Sequence, residues 1–267
     1  MAAAAAAAAA APAAVAPRRC AAVLFDLDDT LVPTSRIDDA AIAAASALGA
    51  RRRELGDEEA ARAARAFRAL LGAEPFPPNG SAEPVDRWRT ALWARALAGG
   101  GGADGADVAL ARDVHDAWAA ERLARFRLAP DVSAMVERVQ AAGYRTGVVT
   151  NGHADVQRAK IGACGLARLF GERIIVSGEQ PRAKPDASIF ATALALVGAR
   201  ADETIMVGDS LAADVQGGIN AGLLATVWVR ADGGGGGADG DGGRLGGPRP
   251  SHVVRSVLDL ESVLERL

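Results

Sequence analysis

The sequence predicts an α/β fold, a doubly wound parallel sheet with a helical insert after its first strand. First, the apolar residues 21–25 run directly into acidic residues, as at the end of a strand that is buried on both faces. Second, strand-like and helix-like segments alternate from Leu128 to the C-terminus, which is the pattern of a parallel sheet covered by helices. Third, residues 33–127 are rich in Ala and Arg, and no segment among them is typical of a strand.

The domain organisation follows these changes in composition. We expect a disordered Ala-rich tail at 1–19, a core domain formed by 20–32 and 128–267, and a helical domain at 33–127. Within the core, the Gly-rich stretch 231–250 is predicted to be a flexible loop. The helical domain is predicted to contain helices at 38–71, 83–97 and 108–125, with a flexible connector at 99–105.

The core elements are predicted from short β-branched runs and from helix-forming segments that alternate with them. The runs predict strands at 144–150, 173–177, 204–208, 225–229 and 252–254. The intervening segments, most of which have a Gly nearby, predict helices at 131–142, 155–164, 186–197, 212–221 and 258–267.

Composition and charge exclude several classes of protein. The net charge of −3 argues against a nucleic-acid partner, and no apolar run apart from the N-terminal alanines has the length of a membrane span. Cys20 and Cys164 lack metal-ligand spacing, which fits a reducing compartment and leads us to expect a cytoplasmic protein. The Ala-rich start lacks the basic region and leucine-rich centre of a secretory signal, and an organelle transit peptide is the alternative to a disordered tail.

Polar residues follow the predicted strands at the points where those strands end. Asp26 and Asp28 follow the first strand, Thr150 and Asn151 the second, and Asp209 a later one. Because the carboxyl ends of parallel strands meet at one edge of the sheet, these side chains are expected in one place. Taken alone, the acidic residues after the first strand have an alternative interpretation as a turn or a helix cap.

A lysine completes this set. Only Lys160 and Lys184 are lysines among the 30 basic residues, so a compact point charge is indicated where Lys is kept. Lys184 follows the strand at 173–177 by a short loop and is expected at the same edge. Asp214 lies five residues after Asp209 and is predicted to support the site from the first turn of a helix.

These residue types together predict a phosphate site. Oxygen ligands from carboxylates suit Mg²⁺, and Thr150, Asn151 and the N–H groups that follow are predicted to bind phosphoryl oxygens together with Lys184. The chain lacks the Gly-x-x-x-x-Gly-Lys-Ser/Thr loop of P-loop enzymes. A carboxylate nucleophile that forms an aspartyl-phosphate fits better.

The order of the motifs resembles the haloacid dehalogenase-like (HAD) hydrolase superfamily. The matching elements are Asp26-x-Asp28-x-Thr30, Thr150, Lys184-Pro185 and Gly208-Asp209-x-x-x-x-Asp214. The resemblance implies a Rossmann-like core with a type 1 cap, which is the helical insert. It also implies Asp26 as nucleophile, Asp28 as general acid and base, and Mg²⁺ held by Asp26, the backbone carbonyl of Asp28 and Asp209.

The chemistry of the leaving group distinguishes two activities of this superfamily, dehalogenation and the hydrolysis of phosphate esters. A halide leaves without a proton, whereas the alkoxide of a phosphate ester needs one that Asp28 can supply, so a phosphatase is favoured over a dehalogenase. A membrane pump is excluded because the chain lacks membrane spans. A phosphatase for nucleotides or other small phosphorylated metabolites, a phosphomutase and a catalytically silent binding module remain as alternatives. The oligomeric state is left open.

Core segments are also similar to the N-acylneuraminate-9-phosphatase family. They include residues 150–152, 157–161, 206–209 and 214–218. This resemblance implies the removal of phosphate from a sialic acid 9-phosphate, a step of sialic acid biosynthesis. Arg89 and Arg122 are candidates to pair with the substrate carboxylate, because a planar guanidinium matches that group in shape. The alternative is that both lie on solvated helix faces.

Five further residues have predicted positions or roles outside the phosphate site. Lys160 is predicted to lie on a helix surface. Trp88, Trp93 and Trp118 are predicted to form the core of the helical domain rather than a face on which substrate stacks. Asp29 has no predicted role beyond the turn that follows the first strand.

Overall fold

The computed structural model describes residues 19–79, 81, 83–99, 107–230 and 247–267. The predicted tail lies outside these residues except for Arg19, as do the connector beyond Gly99 and residues 231–246 of the predicted Gly-rich loop. No helix in the described part of the chain is both long and apolar enough to cross a lipid bilayer.

Six parallel strands form one sheet, which confirms the predicted fold class. They are β1 (Ala22–Phe25), β2 (Arg145–Thr150), β3 (Ile174–Val176), β4 (Thr204–Gly208), β5 (Ala225–Val229) and β6 (His252–Val254). Their order across the sheet is β3-β2-β1-β4-β5-β6. β1 is therefore central, and the direction of winding reverses between β1 and β4, which is where doubly wound sheets bind their ligands.

Ten α-helices in the described residues accompany the sheet. They are α1 (Thr34–Arg52), α2 (Asp57–Ala73), α3 (Val85–Leu97), α4 (Val108–Arg125), α5 (Pro130–Ala141), α6 (Ala154–Ala163), α7 (Ala167–Phe170), α8 (Ala187–Val197), α9 (Gln216–Asn220) and α10 (Leu260–Leu264). The helices α1–α4 form the insert, and the remaining helices belong to the core.

The prediction of one long helix at 38–71 is wrong. The chain turns after α1, where Glu54 has a left-handed φ of 57° and Gly56 precedes α2. The acidic residues at 57–59 begin α2, a position at which negative charge is stabilised by the helix dipole. High helix propensity of Ala and Arg on both sides of the turn hides it in the sequence.

Two other predicted helices are shorter and less regular than expected. The segment 212–221 begins as a π-helical turn at Leu211–Val215 and continues as α9. The segment 258–267 begins as a 3-10 turn at Val257–Asp259 and continues as α10. The short helix α7 is absent from the predictions.

Both faces of the sheet are buried. On one face, Val23 and Phe25 of β1 belong to the same hydrophobic cluster as Met135 of α5. On the other face, Leu24 packs in a cluster with Phe190 of α8. Because successive residues of a strand point to opposite faces, this explains why the sequence of β1 is apolar throughout.

The insert has a hydrophobic cluster of its own, built on aromatic rings. Phe67 of α2 stacks on Trp93 of α3 with ring centroids 3.7 Å apart, and Trp118 of α4 meets Phe67 edge-on at 5.4 Å. Trp88 is partly buried against the same cluster. The tryptophans therefore hold the helices of the insert together, as predicted, because aromatic rings bury large apolar areas.

Candidate active site

The carboxyl ends of the three central strands carry the predicted polar residues. Asp26 follows β1, Thr150 is the last residue of β2, and Asp209 follows β4. The main-chain N–H of Asp26 donates to the carbonyl of Val207 at 2.9 Å, so the pairing of β1 with β4 continues to the acidic residue. The position of Asp26 is thus fixed by the sheet rather than by a loop.

Lys184 lies at the centre of the buried charges. Its Nζ donates to Oδ1 of Asp26 at 2.5 Å, to Oδ1 of Asp214 at 2.7 Å and to the carbonyl of Val149 at 2.6 Å. Burial alone would lower the pKa of Lys184, but Asp214 and Asp26 raise it above its usual value. Burial raises the pKa of Asp26, and the contact with Lys184 opposes that rise.

Three carboxylates meet at this edge of the sheet. One oxygen each of Asp26, Asp209 and Asp214 lies within 4.8 Å of the others, and only Asp209 of the three is partly exposed. Burial, followed by repulsion from Asp214 and Asp29, raises the pKa of Asp209 to about 7. Such an oxygen-only set of hard donors fits Mg²⁺, because a divalent cation would relieve the repulsion among the carboxylates.

Asp214 is held by the chain more firmly than the other two. Lys184 binds its Oδ1, and the main-chain N–H of Ser210 donates to its Oδ2 at 3.0 Å. Gly208 makes this packing possible, since a Cβ at that position would lie 2.2 Å from Oδ2 of Asp214. Asp26 and Asp209 are therefore better placed as metal ligands than Asp214, which supports them.

Asp28 points into a network of its own, outside this acidic cluster. Its Oδ1 accepts hydrogen bonds from Nζ of Lys160 at 2.7 Å and from Oγ1 of Thr34 at 2.5 Å. Its Oδ2 accepts from Nε2 of Gln157 at 2.8 Å. Burial would raise the pKa of Asp28, but Lys160 and the hydrogen-bond donors lower it below its usual value.

The prediction that Lys160 lies on a helix surface is wrong. Lys160 is only 6% exposed, and its ammonium group lies 5.6 Å from the ring centroid of Phe126 as well as against Asp28. The tertiary packing of α6 against the sheet edge turns this residue inward. Lys160 thus binds Asp28 and Lys184 binds Asp26, so both lysines of the chain contact an acidic residue that follows β1. The rarity of lysine in the sequence is a signal that could have indicated a site role for Lys160.

Gln157 is a site residue that the sequence did not single out. Its Nε2 lies 2.6 Å from Oγ1 of Thr150, 2.8 Å from the carbonyl of Asn151 and 2.8 Å from Oδ2 of Asp28. Gln157 therefore links Thr150, at the end of β2, to Asp28, the predicted general acid. Its place one turn before Lys160 on α6 gives both residues the same inward-facing side.

Asn151 uses its side chain within the protein. Its Nδ2 donates to the carbonyl of Lys184 at 2.9 Å, and its Oδ1 accepts from the N–H of Lys184 at 3.0 Å. The two bonds align the loop that carries Lys184. Phosphate binding by the main-chain N–H of Asn151 and by Thr150 stays a prediction.

Asp29 has a structural role that the sequence did not reveal. Its φ of 56° is left-handed, a region that Asn and Asp tolerate better than most residues. Its carboxylate accepts hydrogen bonds from the N–H of Ser35 at 2.9 Å and from Oγ of Ser35 at 2.5 Å. Asp29 thereby ties the turn after β1 to the start of α1, where the insert begins.

The two candidate arginines of the insert differ in their surroundings. Arg122 is ion-paired with Asp38, which accepts from both Nε and Nη2. Arg89 is 7% exposed, lies over the ring of Trp118 at 5.0 Å, and has its nearest ion-pair contact, Asp86, at 3.9 Å. The alternative that Arg89 lies on a solvated helix face is therefore wrong. The side chain of Arg122 is also mostly buried, 12% exposed, and is neutralised by its ion pair with Asp38.

Comparison with known proteins gives consistent results. Residues 20–222 match the family model of the haloacid dehalogenase-like hydrolases. The chain is 34% identical over 262 residues to N-acylneuraminate-9-phosphatase of Rattus norvegicus, covering 93% of this chain and 95% of that protein. The corresponding Homo sapiens protein has the same identity and coverage. Phosphoserine phosphatase of Thermus thermophilus is 34% identical over 228 residues, covering 78% of this chain and 87% of that protein.

Solved structures share the same fold. A 2-haloacid dehalogenase from Pseudomonas syringae is 26% identical, with a TM-score of 0.58 and coverage of 92% of this chain and 99% of that one. A HAD phosphatase from Thermococcus onnurineus is 21% identical, with a TM-score of 0.55 and coverage of 91% and 97%, and supports the fold alone. Together with the acidic strand ends described above, these matches establish that the chain belongs to the haloacid dehalogenase-like hydrolase family.

Proposed function

We propose that the protein is a Mg²⁺-dependent phosphomonoesterase that forms an aspartyl-phosphate on Asp26. The observation that carries this proposal is the buried contact of Asp26 with Lys184, next to Asp209 and Asp214. A nucleophile for phosphorus needs a fixed carboxylate and nearby positive charge to stabilise the phosphoryl oxygens. This edge of the sheet supplies both.

The reaction has two steps. In the first, an oxygen of Asp26 attacks phosphorus in line, the ester P–O bond breaks, and Asp28 gives a proton to the leaving oxygen. In the second, Asp28 takes a proton from water, the water oxygen attacks phosphorus, and the bond to Asp26 breaks to release inorganic phosphate. Lys184 balances the charge of Asp26 throughout, and Thr150 contributes a hydroxyl at the end of β2.

Asp26, Asp209 and the backbone carbonyl of Asp28 would hold the proposed cation. When bound, it would supply positive charge that polarises the phosphoryl group. Asp214 keeps Lys184 in place through its contact with Nζ. The hydrogen bonds from Lys160 and from the other donors favour the carboxylate form of Asp28, which is the form that the second step uses. The first step requires the protonated form.

The proposed substrate is a sialic acid 9-phosphate. It is supported by the 34% identity over nearly the whole chain to enzymes named N-acylneuraminate-9-phosphatase, and by arginines beside a cavity between insert and core. The second candidate is another small phosphorylated metabolite, such as a nucleotide. It is favoured by the 39% identity, over 33% of this chain, to a pyrimidine 5′-nucleotidase of Escherichia coli. A phosphomutase would use the same residues.

We place this activity in the cytoplasm as part of the proposal. Cys20 and Cys164 are both free thiols, which is typical of a reducing compartment. The proposed partner is the small phosphorylated substrate alone.

A phosphate-release panel tests the proposed function. It compares N-acetylneuraminate 9-phosphate with nucleoside monophosphates, phosphoglycolate and hexose phosphates, each with Mg²⁺ and with a chelator in its place. We expect the highest kcat/KM for the sialic acid ester, and activity only with Mg²⁺. A clear preference for a nucleotide would contradict the substrate, isomerised hexose phosphate without release would indicate a mutase, and no release from any ester would contradict the phosphatase itself.

A further inference from the structure

The acidic residue that follows β4 lies one position beyond the paired part of the sheet. The register between β4 and β5 ends with the pair of Gly208 and Trp228, so Asp209 is the first residue outside it. Ser210 comes next, and its hydroxyl accepts a hydrogen bond from the N–H of Ala213 at the start of the π-helical turn. Asp209 therefore occupies a short bend that connects a strand to a helical turn.

Trp228 of β5 contacts this bend with its side chain. Its indole Nε1 donates to the main-chain carbonyl of Asp209 at 2.7 Å, at the short end of the range for an N–H···O hydrogen bond. The indole nitrogen is a donor only, and a half-buried tryptophan usually places it on an acceptor. A side chain thus continues the hydrogen bonding between β4 and β5 beyond the point where the main-chain pairing ends.

Trp228 is itself held from the other side by β6. Its strand pairs with β6 in a register that places Trp228 beside Val253, and the N–H of Arg230 donates to the carbonyl of Val254 at 2.8 Å. The guanidinium carbon of Arg230 lies 5.4 Å from the centroid of the Trp228 ring, within the range of cation–π attraction. The ring therefore belongs to a strand that is paired on both sides, while its N–H reaches the bend.

The acidic cluster is held in two different ways. Lys184 contacts the carboxylates of Asp26 and Asp214 at 2.5 Å and 2.7 Å. Trp228 contacts the main chain of Asp209 instead, so this hydrogen bond leaves the Asp209 carboxylate free for a cation. One oxygen of that carboxylate lies within 4.8 Å of an oxygen of each of the other two acids. The place of the main chain at Asp209 thus decides the geometry of the cluster.

We propose that Trp228 is a positioning residue of the Mg²⁺ site, whose indole N–H sets the place of the Asp209 carboxylate relative to Asp26. The inference rests on the proposed function, because it concerns the cation of that reaction. Mg²⁺ requires a nearly regular octahedron of oxygen ligands, so a displaced carboxylate binds it less tightly. Groups that orient metal ligands from behind commonly contribute about 10–100-fold to metal affinity.

Mg²⁺ binding without substrate tests this role. Trp228→Phe keeps an aromatic ring at the position and removes the N–H donor. Calorimetric titration with Mg²⁺ alone should give a dissociation constant about tenfold or more higher for Trp228→Phe than for the unaltered protein. The matched control is Trp88→Phe in the insert, which should keep the dissociation constant of the unaltered protein. Equal dissociation constants for Trp228→Phe and the unaltered protein would overturn the proposal.

Thermal unfolding separates positioning from a loss of packing. The melting temperatures of the unaltered and Trp228→Phe proteins are measured with a chelator and with Mg²⁺ at about ten times the dissociation constant of the unaltered protein. A positioning role predicts a smaller Mg²⁺-induced rise for Trp228→Phe, whatever its melting temperature with the chelator. A rise of the same size in both proteins would indicate a purely structural role and overturn the proposal.

The outcomes distinguish this inference from the proposed function. If the unaltered protein and Trp228→Phe bind Mg²⁺ equally well, the inference fails and the phosphatase proposal stands. If Trp228→Phe binds Mg²⁺ more weakly but the unaltered protein hydrolyses no phosphate ester, the phosphatase proposal fails and the inference stands. Absence of Mg²⁺ binding by the unaltered protein would overturn both.

Discussion

The acidic edge of the core sheet, where Lys184 lies, and the cavity wall of the insert, where Arg89 lies, bury cations in different ways. In the core, Lys184 contacts two carboxylates and a carbonyl within 2.7 Å. In the insert, Arg89 is about as buried, yet its ion-pair partner is 3.9 Å away. The difference shows that the core supplies close partners for its buried cation from the chain itself, whereas the insert holds Arg89 without a carboxylate within hydrogen-bond distance.

The largest expected effect comes from removing the cation of the core. Lys184→Met leaves Asp26 and Asp214 buried beside each other without their shared partner. We expect the free energy of unfolding to fall by about 3–5 kcal/mol, because breaking a buried ion pair leaves an uncompensated charge. Chemical denaturation followed by circular dichroism measures the change.

Arg89→Met is the matched comparison in the insert. It leaves no closely bound carboxylate behind, so the free energy of unfolding should change by no more than about 1 kcal/mol. Similar losses in the free energy of unfolding for Lys184→Met and Arg89→Met would contradict the claim that only Lys184 is closely paired with carboxylates.

A smaller effect is expected from the second lysine of the site. Lys160→Met removes the ammonium group that holds Oδ1 of Asp28, so kcat should fall by about tenfold or more because the acid loses its position. Arg158→Met is the control on the same helix, since Arg158 pairs with the exposed-side Glu179 instead. Steady-state kinetics with p-nitrophenyl phosphate would contradict the role of Lys160 if the two variants had equal kcat.

A further effect concerns the turn that joins core and insert. Asp29→Ala places a residue of low left-handed preference at φ 56° and removes the hydrogen bonds to Ser35. We expect a loss of about 1–2 kcal/mol in the free energy of unfolding. Asp29→Asn should lose less, because Asn tolerates this backbone region and keeps an acceptor, and thermal unfolding of the two variants distinguishes them.

The sequence predicts the sheet and its acidic edge well because both depend on local patterns. The apolar run before Asp26 and the run before Asp209 each have the length of a buried strand and end in a carboxylate. Once the strands are parallel, their carboxyl ends must meet, so Lys184 and Thr150 follow from topology without knowledge of side-chain packing.

What the sequence could not predict depends on tertiary packing. Which side of α6 faces the core decides the roles of Gln157 and Lys160, and the residues of that helix are not patterned strongly enough to show it. The turn at Glu54 is hidden because helix propensity is high on both sides. The left-handed backbone of Asp29 and the burial of Arg89 likewise arise from contacts between elements that are distant in sequence.

The central claim is that Asp26 is the nucleophile, and its replacement tests that claim most directly. Phosphate release from N-acetylneuraminate 9-phosphate is measured for the unaltered protein and for Asp26→Asn, both with Mg²⁺ and with matched circular dichroism spectra. We predict that kcat falls by about 10³-fold or more, because the amide cannot form the aspartyl-phosphate. Mg²⁺-dependent release by Asp26→Asn at a rate near that of the unaltered protein would contradict the account.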